Sequence, residues 1–222
     1  MPLIVVEGRA VRFQRAERGT LTVRVAFSGD SRDAVLERAR GSHAALVDDA
    51  KAHVTQGRAT WWGADGVTAW TFDEWIKPKP HLDSQKVRRF RAGSRVRVKF
   101  RDFAALGSWA PTVAQREGVN LDGVEWALTD ATRVALTREV RRSAALDAGA
   151  RAAEYASALG LGEARLVTLY EAGLRPDVGA RPGPTTVSAR GAAAPGSGDG
   201  GFELRPDDIE VTAAVSADYE VS

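Results

Sequence analysis

The sequence predicts an α+β protein: antiparallel β-sheet with about three helices packed on it. Strand-like alternation recurs in "GTLTVRVAFSG", "SRVRVKF" and "DDIEVTAAVSADYEV". An apolar residue at every second position places one strand face on a core and the other toward water. Three longer segments instead repeat small and apolar residues every three or four positions, which marks one face of a helix. Strands dominate both ends of the chain and the helices are intercalated. That order fits antiparallel sheet with helices laid on it.

The elements follow in order. "LIVVEGRAVRFQ" reads as the first strand and "AERG" at 16–19 as a turn. In the next strand Leu21, Val23, Val25 and Phe27 face the core, against Thr20, Thr22, Arg24 and Ala26. Ser31 caps a helix with Asp33 in its first turn, and the helix runs to about Val54. Its stripe is Leu36, Ala39, His43, Leu46 and Ala50, and Gly41 weakens it by roughly 1 kcal/mol relative to Ala.

"RATWWGADGVTAWTFDEWI" reads as two aromatic strands joined by a hairpin-type turn at "GADG", and "KPKPHLDSQ" as a prolyl loop. In "VRRFRAGSRVRVKFRDF", Val96, Val98 and Phe100 face one way and Arg95, Arg97, Lys99 and Arg101 the other. Asp102 caps a second helix, in which Pro111 predicts a kink or a restart. "VEWALTD" is a strand with Val124, Trp126 and Leu128 on one face. A long helix starts after Thr129 or Asp130 and ends at Leu159–Gly160, and "ARLVTLYEAG" is a strand.

The Gly-, Pro-, Ala- and Ser-rich stretch at about 175–203 lacks the apolar content to order itself and reads as a mobile loop. The last strand turns Ile209, Val211, Ala213 and Val215 inward. Residues 1–222 are read as a single domain with this one loop.

Composition excludes several classes. With 31 basic and 29 acidic residues the net charge is +2, too near balance for a whole-molecule field toward nucleic acid or anionic lipid. The chain has no cysteine, which removes disulfides, thiolate nucleophiles and cysteine-ligated metals. The apolar run Leu3–Val6 is too short for a signal peptide, and no stretch reaches the length of a membrane span. The expected location is cytoplasmic, with no membrane partner.

The long helix places Val140, Ala144, Ala148, Ala152, Tyr155 and Leu159 on one stripe, with Glu139, Arg142, Asp147 and Glu154 away from it. Alanines four apart leave little side chain between the helix and its neighbour, so the backbones approach closely. Gly160 supplies a left-handed C-cap before the next strand. Here "AALDAGARAAEYASALGLGEARLVTLYEAG" resembles the Ala-rich helix, Gly turn and strand of the SIMPL domain family. The segments "LIVVEGRAVRFQ", "FRAGSRVRVKFRDFAALG", "EGVNLDGVEWALTD" and "DDIEVTAAVSADYEV" agree with it in order, so the resemblance covers nearly the whole chain. The chain departs from the family in "AERGT" before the second strand and in the tryptophan-rich "WWGADGVTAWTFDEW". The family is mostly of unknown function. Some exported members form large ring- or tube-shaped homo-oligomers linked to stress tolerance, so the resemblance implies self-assembly here.

No constellation of residues points to catalysis. The carboxylate pairs Asp48–Asp49, Asp73–Glu74 and Asp207–Asp208 are neighbours in sequence, point apart, and read as solvated charge. His43 and His53 are about 15 Å apart along a helix, and His81 sits in the prolyl loop, so no metal pair forms. His43 reads as a packed, hydrogen-bonded residue. The glycines of "LGLGEA" follow a helix instead of opening one, the wrong order for a phosphate cradle.

The remaining candidate is a surface: Trp61, Trp62, Trp70 and Trp75 with Arg95, Arg97, Lys99 and Arg101. Adjacent Trp61 and Trp62 face opposite sides of a strand, so one of them covers a sheet face or an interface. The basic strand reads first as a solvated face, its charges paired across to Glu125 or Glu210. The expected role is a non-enzymatic protein without cofactor or metal that binds itself or another protein. The alternatives are a nucleic-acid module using residues 88–101, disfavoured by the charge balance, and a small-ligand binder or enzyme.

Overall fold

In a computed structural model of the chain the described residues are 2–77, 84–176, 186–189 and 205–222. The elements in chain order are β1 (Leu3–Arg15), β2 (Arg18–Gly29), α1 (Arg32–Thr55), β3 (Ala59–Ala64), β4 (Thr68–Ile76) and β5 (Gln85–Phe100). They continue as α2 (Phe103–Ala114), β6 (Val119–Ala127), α3 (Asp130–Ala158), β7 (Ala164–Glu171), β8 (Thr186–Ala189) and β9 (Asp208–Val221). The fold is α+β, as expected, with two antiparallel sheets instead of one. The described residues form two compact units. The first takes 2–17, 127–176, 186–189 and 207–222; the second takes 18–77, 84–126 and 205–206.

In the first unit β9 is the spine. β1 pairs along its whole length, from Leu3↔Glu220 to Arg15↔Asp208. On its other edge lie β7 and β8 in tandem. β7 pairs with the C-terminal half of β9 and β8 with Thr212–Ile209. β8 corrects the sequence reading, which took 175–203 as one loop; residues 177–185 and 190–204 lie outside the described residues. "TVSA" is a short run with two β-branched residues, and such a run gains strand order only from a partner, which the sequence does not name.

α3 lies on this sheet. Thr129 caps it, its hydroxyl accepting from the Thr132 N–H, and Gly160 follows it at φ +67°. The Leu161 N–H donates to the Ala156 carbonyl (2.9 Å), closing the C-cap. The buried stripe is Val140, Ala144, Ala148, Ala152 and Ala156. Tyr155 and Leu159, expected on it, are exposed because the row continues at four-residue steps to Ala156. The alanines serve close approach. A Cβ built on Gly8 of β1 would lie 2.1 Å from the Ala144 carbonyl oxygen and 2.6 Å from the Ala148 nitrogen.

In the second unit β5 is the spine, 16 residues long. β2 pairs along it, and β6 pairs with β2 beyond. The sequence reading of "GADG" as a hairpin turn is corrected. β3 and β4 do not pair with each other; they follow one another along the same edge of β5, β3 against Val96–Phe100 and β4 against Gln85–Gly93. The Asp65 N–H donates to the Arg95 carbonyl (2.8 Å) at the joint. The turn chemistry is real, but a 16-residue partner accommodates a jog in one edge where two short strands would need a reversal. Likewise β1 and β2 belong to different sheets, so Ala16–Glu17 links strands without closing a hairpin.

α1 and α2 belong to the second unit. Ser31 and Asp102 cap them as read, Asp102 accepting from the Ala104 and Ala105 N–H groups at 3.0 Å each. Leu21, Val23, Val25 and Phe27 of β2 and Val96, Val98 and Phe100 of β5 are buried on one sheet face, with Leu46 of α1 and Leu106 and Val113 of α2 also buried. α2 does not restart at Pro111. It runs unbroken to Ala114, because Pro111 sits in the last turn and buried Trp109, Ala110 and Val113 hold the segment in place.

Candidate functional site

In the second unit, the face of the sheet opposite the buried Leu21–Phe27 row carries most of the residues singled out in the sequence. Strand alternation puts Thr20, Thr22, Arg24, Ala26 and Ser28 of β2 on it. Across the register lie Lys99, Arg97, Arg95, Gly93 and Arg91 of β5. Trp61 of β3 stands opposite Lys99, and Trp70 of β4 opposite Arg91. This face therefore gathers Trp61, Trp70, Arg95, Arg97 and Lys99, and adds Arg24 and Arg91.

It does not gather the other candidates. Trp62 stands opposite Val98 and faces α1, where the Lys51 ammonium lies 6.0 Å from its ring centroid. Trp75, opposite Lys86, falls on the same side as Trp62 and is two-thirds exposed. Arg101 lies past the end of β5, its N–H donating to the Arg58 carbonyl. The expected partners Glu125 and Glu210 are also corrected. Glu125 is on β6, separated from β5 by β2, and Glu210 is on β9 in the other sheet. The acids that serve β5 come from elsewhere: Asp65 binds Arg97 (3.1 Å), Glu74 binds Arg89 (2.9 Å), Asp73 binds Lys86 (2.9 Å), and Asp30 also reaches Arg89.

A groove of ≈ 840 Å³ runs along this face. Its floor is the cross-strand triplet Ala26, Gly93 and Thr68. At one end stand Arg24 and Arg95, directly opposite each other; at the other stand Ser28, Arg91 and Trp70. A Cβ on Gly93 would meet the Val25 carbonyl oxygen at 2.6 Å and the edge of the Trp70 ring at 3.7 Å, so the indole reaches over this glycine. Trp70 is 46% exposed beside it. Like charges directly opposite one another on a sheet repel. Asp122 binds the Arg24 guanidinium through both carboxylate oxygens and raises its pKa. Among the described residues no acid does the same for Arg95, and Arg91 instead stacks on Phe72 at 4.9 Å. Sequence alternation finds the basic row. It does not find the triplet of small residues, because that requires the register.

A second surface escaped the sequence reading. On the first unit, Leu3, Val5 and Val11 of β1 point away from α3 and are exposed by 56, 51 and 42%, and Phe13 continues the row. Glu7 and Arg9 interrupt it as an ion pair (3.0 Å). The signal was present in "LIVVEGRAVRF", whose apolar residues occupy both parities of the strand.

The titratable candidates fall into structural roles. The His43 ring nitrogen Nδ1 and the Ser94 hydroxyl are hydrogen-bonded at 2.9 Å, the packed role expected of it. His53 lies edge-on to Phe100 (5.0 Å) and Trp109 (5.2 Å), and burial, with Arg58 nearby, lowers its pKa. Asp49 is not merely solvated. It accepts from the Trp109 indole N–H (3.1 Å) and from Arg116 (2.6 Å), tying α1 to α2 and its C-terminal turn. His81 lies outside the described residues. Among the described residues no helix is long and apolar enough to cross a membrane.

No curated protein matches the chain significantly. A family model, SIMPL, described as a protein of unknown function (DUF541), matches residues 4–219, and the chain belongs to that family.

Proposed function

We propose that this SIMPL protein is non-enzymatic and works by self-association, a second copy being its first partner. The observation that supports this most is the β1 row. Leu3, Val5 and Val11 stand on one sheet face, each more than two-fifths exposed, while on the other face β9 buries Ile209, Val211, Ala213, Val215, Ala217 and Tyr219. Rows of that kind on an otherwise well-packed protein mark protein contacts. Glu7 and Arg9 at the middle of the row give a two-fold copy one charge of each sign to meet. The reading is tested by size-exclusion chromatography with light scattering at micromolar concentration. The native chain elutes as a multimer, and Val5→Asp with Val11→Asp shifts it to a monomer by weakening association at least about tenfold. A native chain that elutes as a monomer overturns it.

The groove on the second unit favours another reading for that face, as a binding surface for a partner other than a second copy. Its cationic wall and exposed indole differ in chemistry from the β1 row.

A further inference from the structure

The structure assigns a ligand class to the groove of the second unit. We propose that it binds a planar aromatic anion of nucleotide type, the ring stacked at Trp70 and the phosphate held between Arg95 and Arg24. This goes beyond self-association and does not depend on it.

Three observations converge. First, Arg24 and Arg95 are directly opposite each other, a repulsive arrangement, and Asp122 answers only Arg24. Among the described residues no carboxylate forms an ion pair with Arg95, since Asp65, which lines the same groove, is paired to Arg97, and every other cation toward that end of the face has a partner. Arg97 has Asp65, and Lys99 lies 5.9 Å over the Trp61 ring. A phosphate placed there supplies the missing charge and accepts from planar guanidinium forks. Second, Ala26, Gly93 and Thr68 are aligned across three strands, and the edge of the Trp70 ring reaches over Gly93, so the indole stands above small residues that leave room at its side. Third, Trp70 pairs with Arg91 at the far end and extends its ring, in a residue 46% exposed, toward Gly93, while Arg91 is stacked on Phe72. An exposed indole beside a guanidinium is a stacking platform for a base. Four residue steps along β5 separate Arg91 from Arg95, on the order of 13 Å, and the ≈ 840 Å³ volume lies within the range of small-molecule sites. A purely inorganic anion would leave the indole end empty. An uncharged ring would leave Arg95 unanswered.

The same chemistry occurs in a free nucleotide and at one position of a single strand. The experiment separates them. Adenosine 5′-monophosphate, adenosine, inorganic phosphate and a ten-residue oligodeoxyadenylate are titrated at low salt into the full chain, with tryptophan fluorescence and calorimetry as readouts. Adenosine monophosphate is expected to saturate the site and quench fluorescence. Adenosine and phosphate alone each bind at least tenfold more weakly. Arg95→Glu and Trp70→Ala each weaken the nucleotide at least tenfold, with unchanged circular dichroism and thermal midpoint within a few degrees. Arg95→Gln serves where the charge reversal disturbs folding.

An oligonucleotide that binds a hundredfold tighter than the monophosphate, with affinity falling steeply with salt, identifies a strand as the source. Equal affinities identify the free nucleotide. No saturable binding of either up to millimolar concentration, or binding indifferent to Arg95→Glu, overturns the proposal. Light scattering on the same samples reports self-association separately, so a monomeric protein that binds the nucleotide refutes only the assembly reading.

Discussion

The two units share one plan and differ in what their helices and open faces are made of. In each, a long first strand pairs with a long spine strand, a helix follows the first strand in sequence, and the spine's other edge carries two short strands in tandem. The first unit reads β1, α3, β7 and β8, β9; the second reads β2, α1, β3 and β4, β5. The second unit adds α2 and β6. Where the plans coincide, the buried side chains differ. α1 buries Val35, Ala39, Leu46 and Ala50, whereas α3 buries Val140 and then four alanines. A helix faced with branched side chains rests on a sheet through those side chains. A helix faced with alanines rests on it through the backbone, provided the strand offers a glycine. Gly8 is that glycine. The open faces diverge further, leucine and valine on one and arginine and tryptophan on the other. The two units therefore share a plan and differ in the chemistry of their open faces.

The contrast breaks most easily at Gly8. In Gly8→Val the new side chain starts 2.1 Å from a backbone oxygen of α3, and no rotamer relieves a clash with main chain. The expected loss exceeds about 4 kcal/mol, at the exceptional end of single substitutions. Urea unfolding checks it, and hydrogen exchange shows the first unit opening before the second. A loss under about 1 kcal/mol would show that α3 does not sit on the strand as described.

The second unit is broken by the opposite operation, removal of volume. Leu46 of α1 is fully buried, so Leu46→Ala costs about 2–5 kcal/mol through lost burial and the cavity left behind. The buried alanines of α3 have almost nothing to remove. Ala148→Gly costs only about 1 kcal/mol, mainly through helix propensity. Denaturant midpoints of the two variants sharpen the comparison. Equal losses would mean that the alanine face is packed as heavily as the leucine face.

How much of this was legible depended on range. Alternation gave the inward rows of β2, β5 and β9, and Ser31, Asp102, Thr129 and Gly160 gave helix ends to within a residue or two, because these are decided by neighbours in sequence. Pairing was not legible. Nothing in "AERG" says that β1 and β2 go to different sheets, and nothing in "GADG" says that the chain continues along β5 instead of turning back. The candidate surface was legible as a list of residues and not as a site. Trp61 and Trp62 separate by parity alone, but bringing Trp70 beside Gly93 and opposing Arg24 to Arg95 requires the register of three strands.

His53 gives the second unit a pH response; in the first unit, no histidine lies among the described residues. Burial against Phe100 and Trp109 is the main cause that lowers its pKa below the ordinary 6.5. The unfolded chain therefore takes up the proton first as the pH falls. The stability tied to the neutral ring is complete above pH 6.5 and is lost as the pH drops below 6.5 and through the folded value. Melting curves between pH 8 and pH 5 should fall on the acid side, and His53→Gln should flatten that fall. A fall of the same size in His53→Gln would assign it to the carboxylates.

The smallest effect separates the two helices at their own interior glycines. Gly41 of α1 has open space around it: a Cβ there meets nothing within 4 Å. Gly149 of α3 differs, since a Cβ would touch the Tyr219 hydroxyl oxygen at 3.5 Å, an ordinary contact. Glycine inside a helix is less stable than alanine by about 0.5–1 kcal/mol, so Gly41→Ala should gain roughly that amount, visible as a rise in thermal midpoint. Gly149→Ala has the same propensity gain plus a methyl group laid against a tyrosine whose pKa is raised by burial. If α3 is held as closely to its sheet as the Gly8 contact implies, the second substitution gains less than the first. Equal gains would mean that the close approach is confined to the stretch of α3 above Gly8 and relaxes on the face that meets Tyr219.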